Sequence, residues 1–405
     1  MTETLHIDLF SSEYRTNPFQ FYQQAREQGP LYLSSAREHH NVWIVVRYED
    51  AEAILRDPRF IKAPESLLPP EERKEPASMV EIALKQISTH MLASDPPSHT
   101  RLRGLVSKAF TPRMIEQWRP RIQEITDELL DAVQERGEME LLNDFAFPLP
   151  MTVISEMLGI PEADRQQFRI WSNLIINSVG NQENFERIVA DMVAFAQYLF
   201  AFIKQRRQNP QDDLVSRLII AEEEGDKLSE NELISMIFLL LIAGHETTVN
   251  LLGNGVLALL LHPDQIEKLQ QQPDLIKSAI EELLRYDGPL YTATGRWASE
   301  DIDYKGVSIK RGDMIMVGLS SANHDEQQFL HADSVDITRK DNQHIAFGKG
   351  IHYCLGAPLA RLEGQIAIGT LFRRFPNLRL NADPRALTWR PGILVHGLDT
   401  LPVAF

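Results

Sequence analysis

The stretch Phe347-Gly348-Lys349-Gly350-Ile351-His352-Tyr353-Cys354-Leu355-Gly356, running on into Ala357-Pro358-Leu359-Ala360-Arg361, holds the only cysteine in a chain of 405 residues. Gly348, Gly350 and Gly356 permit positive φ and close backbone approach. The segment can therefore turn tightly and aim backbone N–H groups at the sulfur just before a helix begins. Such surroundings stabilise a thiolate. Three readings stay open: a nucleophile, a metal ligand, or an inert buried thiol, which is the commoner fate of a lone cysteine. One cysteine excludes an internal disulfide, a multi-thiolate zinc site and an iron–sulfur cluster.

Around this segment the composition is that of a globular protein, 43% hydrophobic and 24% charged, with enough chain to bury a substantial core. The formal charge of −16 argues against nucleic acid or an anionic membrane as partner. Met1 to Phe10 has no basic residue leading into an apolar run, and the longest apolar stretch, around Met236 to Ala243, is far shorter than the roughly 18 residues that span a bilayer. A cytoplasmic location and no membrane span are expected. With no repeat and no Gly/Ser linker, residues 1–405 are expected to form a single catalytic domain, and Pro64 to Pro76 a charged surface loop.

Near the start, Val42, Ile44 and Val46 alternate with Trp43 and Val45, predicting a hairpin strand, and Glu49 to Leu55 predicts a helix. Thr100 to Tyr286 reads as a succession of helices interrupted at Pro120, Pro148 to Pro150, Pro161, Pro210 and Pro263. The longest opens with Ser229 and Glu232 in capping-box spacing and runs to His262-Pro263. Its centre, Ala243-Gly244-His245-Glu246-Thr247-Thr248, sets an acid and two hydroxyls inside an apolar run. This is either the polar stripe of an amphipathic helix or a functional site. A second helix, Pro273 to Tyr286, carries Glu282 and Arg285 at i and i+3, a pair that is ordinarily exposed and inert. Strands are expected at Asp303 to Ile309 and Asp313 to Leu319, with Arg311-Gly312 as the turn between them.

Taken together, these segments resemble the haem-thiolate monooxygenases of the cytochrome P450 family, whose cysteine loop has the spacing Phe, two residues, Gly, one residue, His or Arg, one residue, Cys, one residue, Gly. Ala243 to Thr248, Glu282 with Arg285, and His99-Thr100-Arg101-Leu102-Arg103 complete the resemblance in the family's order. It covers effectively the whole chain, and the form is similar to soluble bacterial members that oxidise polyketides, macrolides and fatty-acid-like compounds. The fold implied is mainly α with small β-sheets, a long central helix lying over haem and the cysteine loop beneath it.

The resemblance assigns Cys354 as axial thiolate on the iron of haem b, with Phe347 beside the sulfur and Gly356 closing the loop. His99, Arg103, Arg296 and His352 are the implied partners of the haem propionates, and Ala243 borders the cofactor. Arg101 points elsewhere on its helix. Thr247 and Glu246 are the implied alcohol and acid that bring in protons. Small Ala243 and Gly244 are expected to leave room for dioxygen, with the Thr247 hydroxyl bonding back to Ala243 and opening the helix. Glu282, Arg285 and Arg339 look like the family's structural triad. His324 stands where relatives commonly carry Arg, and Ser334-Val335 stand where an aromatic is frequent before Asp336. The substrate pocket is implied at Leu84, Ile87, Met91, Leu174, Ile175, Leu239, Ile242, Leu290 to Thr294 with Ala293 among them, and Ile393 to Val395 with Leu394 central.

No nucleotide-binding fingerprint is present for a fused reductase, so electrons are expected from a ferredoxin or flavodoxin with its NAD(P)H-dependent reductase. Arg101, Arg103, Lys108, Arg113, Arg119 and Arg121, against Glu116 alone, are its expected dock. Other functions compatible with these residues are a hydrogen-peroxide-dependent peroxygenase, a non-catalytic haem sensor, and an acyl-transfer enzyme using Cys354 and His352. Glu246 and Thr247 argue against the first, and i, i+2 spacing against the last. His39-His40 reads as a solvated pair rather than a metal site.

Overall fold

The computed structural model describes residues 18–34, 41–73, 85, 87–177, 185–220, 227–390 and 392–405. His39-His40, Leu84 and part of the Pro64 to Pro76 stretch fall outside the described residues. Two compact units emerge, each assembled from separated pieces of chain: 1–67, 126–146 and 247–405 in one, 68–125 and 147–246 in the other.

The first unit is organised by a five-stranded sheet in the order Leu31–Ser34, Val42–Val45, Met314–Val317, Arg296–Ala298, Phe60–Ile61. The expected hairpin pairs Leu31 with Val45 and Ser34 with Val42, and Val42–Val45 runs parallel to Met314–Val317. Both faces of that strand are covered. Val42, Ile44 and Val46 pack with Tyr22, Ala25 and Met316, while Val45 packs with Ile54, Ile315 and Val317. Two-sided burial explains why the string is apolar at consecutive positions. Helix Tyr48–Arg56 follows, as expected.

One expected strand is in fact two. Ile302–Tyr304 and Val307–Ile309 pair antiparallel about Lys305-Gly306, whose φ values of 50° and 86° are the positive pair a type I′ hairpin turn requires. A lysine in the first turn position hid that signal. Arg311-Gly312 does lead into the following strand, Gly312 having φ 90°.

The second unit is helical, and most of its prolines start helices rather than break them. Pro148 opens Pro148–Leu158, and Pro161 stands immediately before Glu162–Asn177. A missing N–H costs nothing in a first turn. Phe168, Trp171, Phe195 and Phe202 form its aromatic core, and Tyr198 donates to Asp164 at 2.6 Å.

The longest helix, Glu230–Leu260, begins where the capping box predicts: Ser229 N–H donates to Glu232 Oε2 (2.8 Å) and Glu232 N–H to Ser229 Oγ (3.3 Å). It runs unbroken through Ala243 to Thr247, so the expected opening there is not a break in the helix. Among the described residues it is the one helix long and apolar enough to cross a membrane by length and composition. The apolar content is spread along 31 residues rather than gathered near Met236 to Ala243, as the sequence suggested, and most of it is buried within the protein.

Candidate active site

The cysteine loop is closed by its own backbone. Cys354 N–H donates to the Phe347 carbonyl (3.0 Å), Gly348 N–H to Ile345 (2.8 Å) and Tyr353 N–H to Gly350 (3.1 Å). Gly348 and Gly350 hold φ of 70° and 72°. A Cβ on Gly350 would stand 2.6 Å from the Leu55 carbonyl, so here glycine is demanded by close approach as well as by φ. Helix Ala357–Arg374 starts directly after, and Cys354 is exposed at its mouth. The thiol is not buried, as an inert one commonly is.

Glu282 and Arg285 are not the exposed pair their spacing suggests. They are 0% and 1% exposed. Arg285 uses all five N–H donors: Nε and Nη2 to the Glu282 carboxylate (2.8 Å each), Nη1 to Asn323 O (3.0 Å) and Ala332 O (2.7 Å), and Nη2 to Ser334 O (2.9 Å). Glu282 also accepts from Arg339 Nε (3.0 Å), Asn342 Nδ2 (3.0 Å) and Asp336 N–H (2.9 Å), so the segment leading into the cysteine loop hangs from this carboxylate. His324 is accommodated between Asp333 (2.9 Å) and the Tyr286 carbonyl (2.6 Å), and Asn323 Oδ1 accepts from Ile345 N–H (2.8 Å).

Of the expected cations, two are far from surface residues. His99 is 3% exposed on helix Ser98–Ala109, with Arg103 one turn on; burial and then the nearby Arg103 hold the imidazole below its ordinary range, against the pull of Asp95. Arg296 is 4% exposed in its strand and donates to the Phe60 carbonyl (3.3 Å). His352 is half-buried at the end of the Gly350–His352 turn. By their chemistry alone, one thiol with imidazole and guanidinium groups is the kind of donor set that a haem with two carboxylates would need, so the residue types present fit that group.

On the central helix, Ala243 is exposed and Thr247 half-buried, i and i+4 on one face, while His245, Glu246 and Thr248 are buried. His245 Nδ1 lies 2.9 Å from the Leu241 carbonyl and the ring meets Phe147 edge-on. A Cβ on Gly244 would reach Ile154 at 3.3 Å, so its smallness serves the packing of this helix.

The pocket residues divide. Ile87 and Met91 are buried and Ile242 half-buried in the second unit. In the first, Leu290 bridges Val395, Tyr291 N–H donates to Leu394 O (2.9 Å) and Thr292 Oγ1 to Ile393 O (2.9 Å), which brings two expected lining segments together. Leu290 and Ala293 also pack on the sheet core. Leu174 lies on Glu162–Asn177, with its side chain outside the described residues. The expected basic dock is partly neutralised within the chain: Arg101 pairs with Glu232, Arg119 with Glu116, and Arg121 with Glu156 and Glu124.

Two features escaped the sequence reading. His396, 3% exposed, lies between the rings of Tyr291 and Trp389 with Nε2 2.6 Å from Asp287 Oδ1, pinning the end of one lining segment. Glu363, 0% exposed inside helix Ala357–Arg374, has its carboxyl pushed up to about 8 by burial, only partly offset by the Thr248 hydroxyl. It is protonated at neutral pH. The signal was available, since an acid in an apolar helix needs a reason.

This carboxyl has a pH consequence. Its folded pKa lies above the unfolded 4.5, so the native state holds one more proton between about pH 4.5 and 8, and stability falls as pH rises through that window. Replacing it with a neutral isostere, Glu363→Gln, removes the penalty. The stability advantage of the variant over the parent is expected to grow by about 3 kcal/mol between pH 5 and pH 8, read by urea denaturation. A difference independent of pH would show that Glu363 is ionised in the native state.

The cytochrome P450 family profile matches residues 5–396. A polyketide biosynthesis cytochrome P450, PksS of Bacillus subtilis, is 45% identical over 99% of both chains, and its solved structure superposes with a TM-score of 0.92 over 98% of this chain and 99% of that one. The cytochrome P450 monooxygenase PikC of Streptomyces venezuelae is 40% identical over 98% of this chain and 94% of its own. The structure of P450BioI in complex with hexadec-9Z-enoic acid ligated acyl carrier protein matches with a TM-score of 0.88 and 42% identity, covering 98% of this chain and all of that one.

Proposed function

The chain belongs to the cytochrome P450 family, an enzyme with haem b as cofactor; on that premise we propose that it hydroxylates or epoxidises an apolar polyketide, macrolide-like or fatty-acid-like metabolite. A relative named for polyketide biosynthesis and a neighbour in complex with a fatty-acid-ligated acyl carrier protein support that substrate class. Haem, when bound, supplies dioxygen activation and insertion of one oxygen atom into the substrate. Two electrons and two protons enter, one oxygen leaves as water and the other stays in the product. The electrons come from a separate ferredoxin or flavodoxin with its NAD(P)H-dependent reductase, which meets a single catalytic domain spanning 1–405.

One observation carries the reading: the sole cysteine stands exposed on a loop locked by the Cys354 N–H to Phe347 bond, directly before a helix. In this reading Cys354 Sγ would hold the iron, and Phe347 and Gly356 would shape the surroundings of the sulfur. His99, Arg103, Arg296 and His352 would balance the two carboxylates, and Ala243 would stand beside the group. Thr247 Oγ1 orients a proton donor and Glu246 carries protons inward. Glu363 holds a proton on its carboxyl oxygen beside Thr248. Ile87, Met91, Ile242, Leu290, Ala293 and Leu394 supply apolar surface of the kind that would exclude water from the substrate.

The test is turnover with a surrogate ferredoxin system, a panel of macrolactones and long-chain fatty acids, and isotopically labelled dioxygen. The expected product carries one labelled oxygen and requires the electron donor. Equal oxidation with hydrogen peroxide alone would make it a peroxygenase, and ligand-induced spectral changes without product would make it a sensor.

A further inference from the structure

Beside Glu282 on the same helix, Ile276–Tyr286, stands a second carboxylate with a different set of partners. Glu281 Oε1 and Oε2 accept from Arg361 Nε and Nη2, both at 2.7 Å, and Oε2 lies 3.0 Å from His344 Nε2. Arg361 sits in the opening turns of Ala357–Arg374, so it reaches back over the cysteine loop. Its remaining contacts both fall on that loop: the guanidinium carbon is 4.5 Å from the centre of the Phe347 ring, and Nη1 is 3.1 Å from the hydroxyl of Tyr353. Tyr353 precedes Cys354, and the Phe347 carbonyl accepts the Cys354 N–H at 3.0 Å. One side chain therefore grips the loop at the residue before the sulfur and at the residue that anchors the cysteine backbone.

We propose that Arg361 is a positioning residue for Cys354, acting through the Phe347 ring, and that Glu281 exists to hold its guanidinium flat over that ring; this rests on Cys354 being the haem ligand. A planar fork that donates in two directions in its plane and stacks through its face suits this task, and a lysine ammonium keeps the charge over the ring but not the fork. The two partners are each 28% exposed, enough burial for the fork to keep its geometry. Burial alone would raise Glu281, yet the Arg361 and His344 bonds outweigh it and hold the carboxyl at about 2, so the clamp stays ionised throughout the working pH range.

The readout is the carbon monoxide complex of the dithionite-reduced holoprotein, in which the strongly red-shifted Soret band reports thiolate ligation and the unshifted band its loss. Arg361→Met is expected to lower the ratio of red-shifted to unshifted form by about two- to thirtyfold, the range of a partly buried cation–π contact, with Arg361→Lys recovering part of it. In a Phe347→Leu background the same Arg361→Met change is expected to add less than about twofold, because the ring through which Arg361 acts is gone. If Arg361→Met fails to fold, the charge-balanced pair Glu281→Gln with Arg361→Met takes its place in the cycle.

A lowered unfolding temperature with the ratio unmoved would make Arg361 a brace between helices and overturn the proposal. An equal fold-change with and without Phe347 would also overturn it. A parent protein with no red-shifted band would instead refute the haem-thiolate reading beneath it.

Discussion

Replacing Glu282 by Ala is expected to cost about 3–5 kcal/mol, the penalty for removing one partner of a buried ion pair. The mechanism is the stranding of charge. Arg285, 1% exposed, would lose two of the five acceptors it uses, and the Arg339 Nε, Asn342 and Asp336 donors would lose theirs. A domain of ordinary stability has only about 5–15 kcal/mol in hand, so the loss takes a large share of it and lowers the denaturation midpoint accordingly. Glu282→Gln, which keeps shape and loses charge, should fall between. Urea denaturation checks this, and a loss below about 1 kcal/mol for Glu282→Ala would mean the segment 330–342 is held by other contacts.

Thr247→Ala is expected to break the link between electron use and product. General acid–base assistance contributes about 10²–10⁴-fold to a proton-dependent step. Losing the orienting hydroxyl should lower product formed per NAD(P)H consumed by about tenfold or more, with the difference released as hydrogen peroxide or water, while the thiolate band stays intact. The two adjacent threonines are distinguished by their surroundings. Thr247 is half-buried on the face of exposed Ala243, whereas Thr248 is 2% exposed against Glu363. Thr248→Ser, which keeps the hydroxyl, should therefore leave coupling near the parent value. Unchanged coupling in Thr247→Ala would remove Thr247 from the proton route.

Much of this was legible in the chain because it is written locally. The capping box at Ser229 and Glu232, the alternation at Val42 to Val46 and the glycines about Cys354 each state a geometry within a few residues. What stayed hidden is set by partners distant in sequence. The Glu282–Arg285 pair has the spacing of an exposed salt bridge, and only the carbonyls of Asn323, Ala332 and Ser334 mark it as buried. That Gly244 packs against Ile154 is likewise invisible in the local sequence. The basic run from Arg101 to Arg121 looked like a dock, yet Glu232 and Glu156 take up two of its charges. Lys305-Gly306 was read through because lysine rarely takes positive φ. Arg361 gave no signal at all, since an arginine in a helix is ordinary until the ring beneath it is known.

The central claim, that Cys354 ligates a haem, is tested most directly by the absorption spectrum of the dithionite-reduced protein with and without carbon monoxide, recorded beside Cys354→Ser. The parent should show a strongly red-shifted Soret band that the serine variant lacks. A parent spectrum without that band, after expression with haem precursor, would contradict the account.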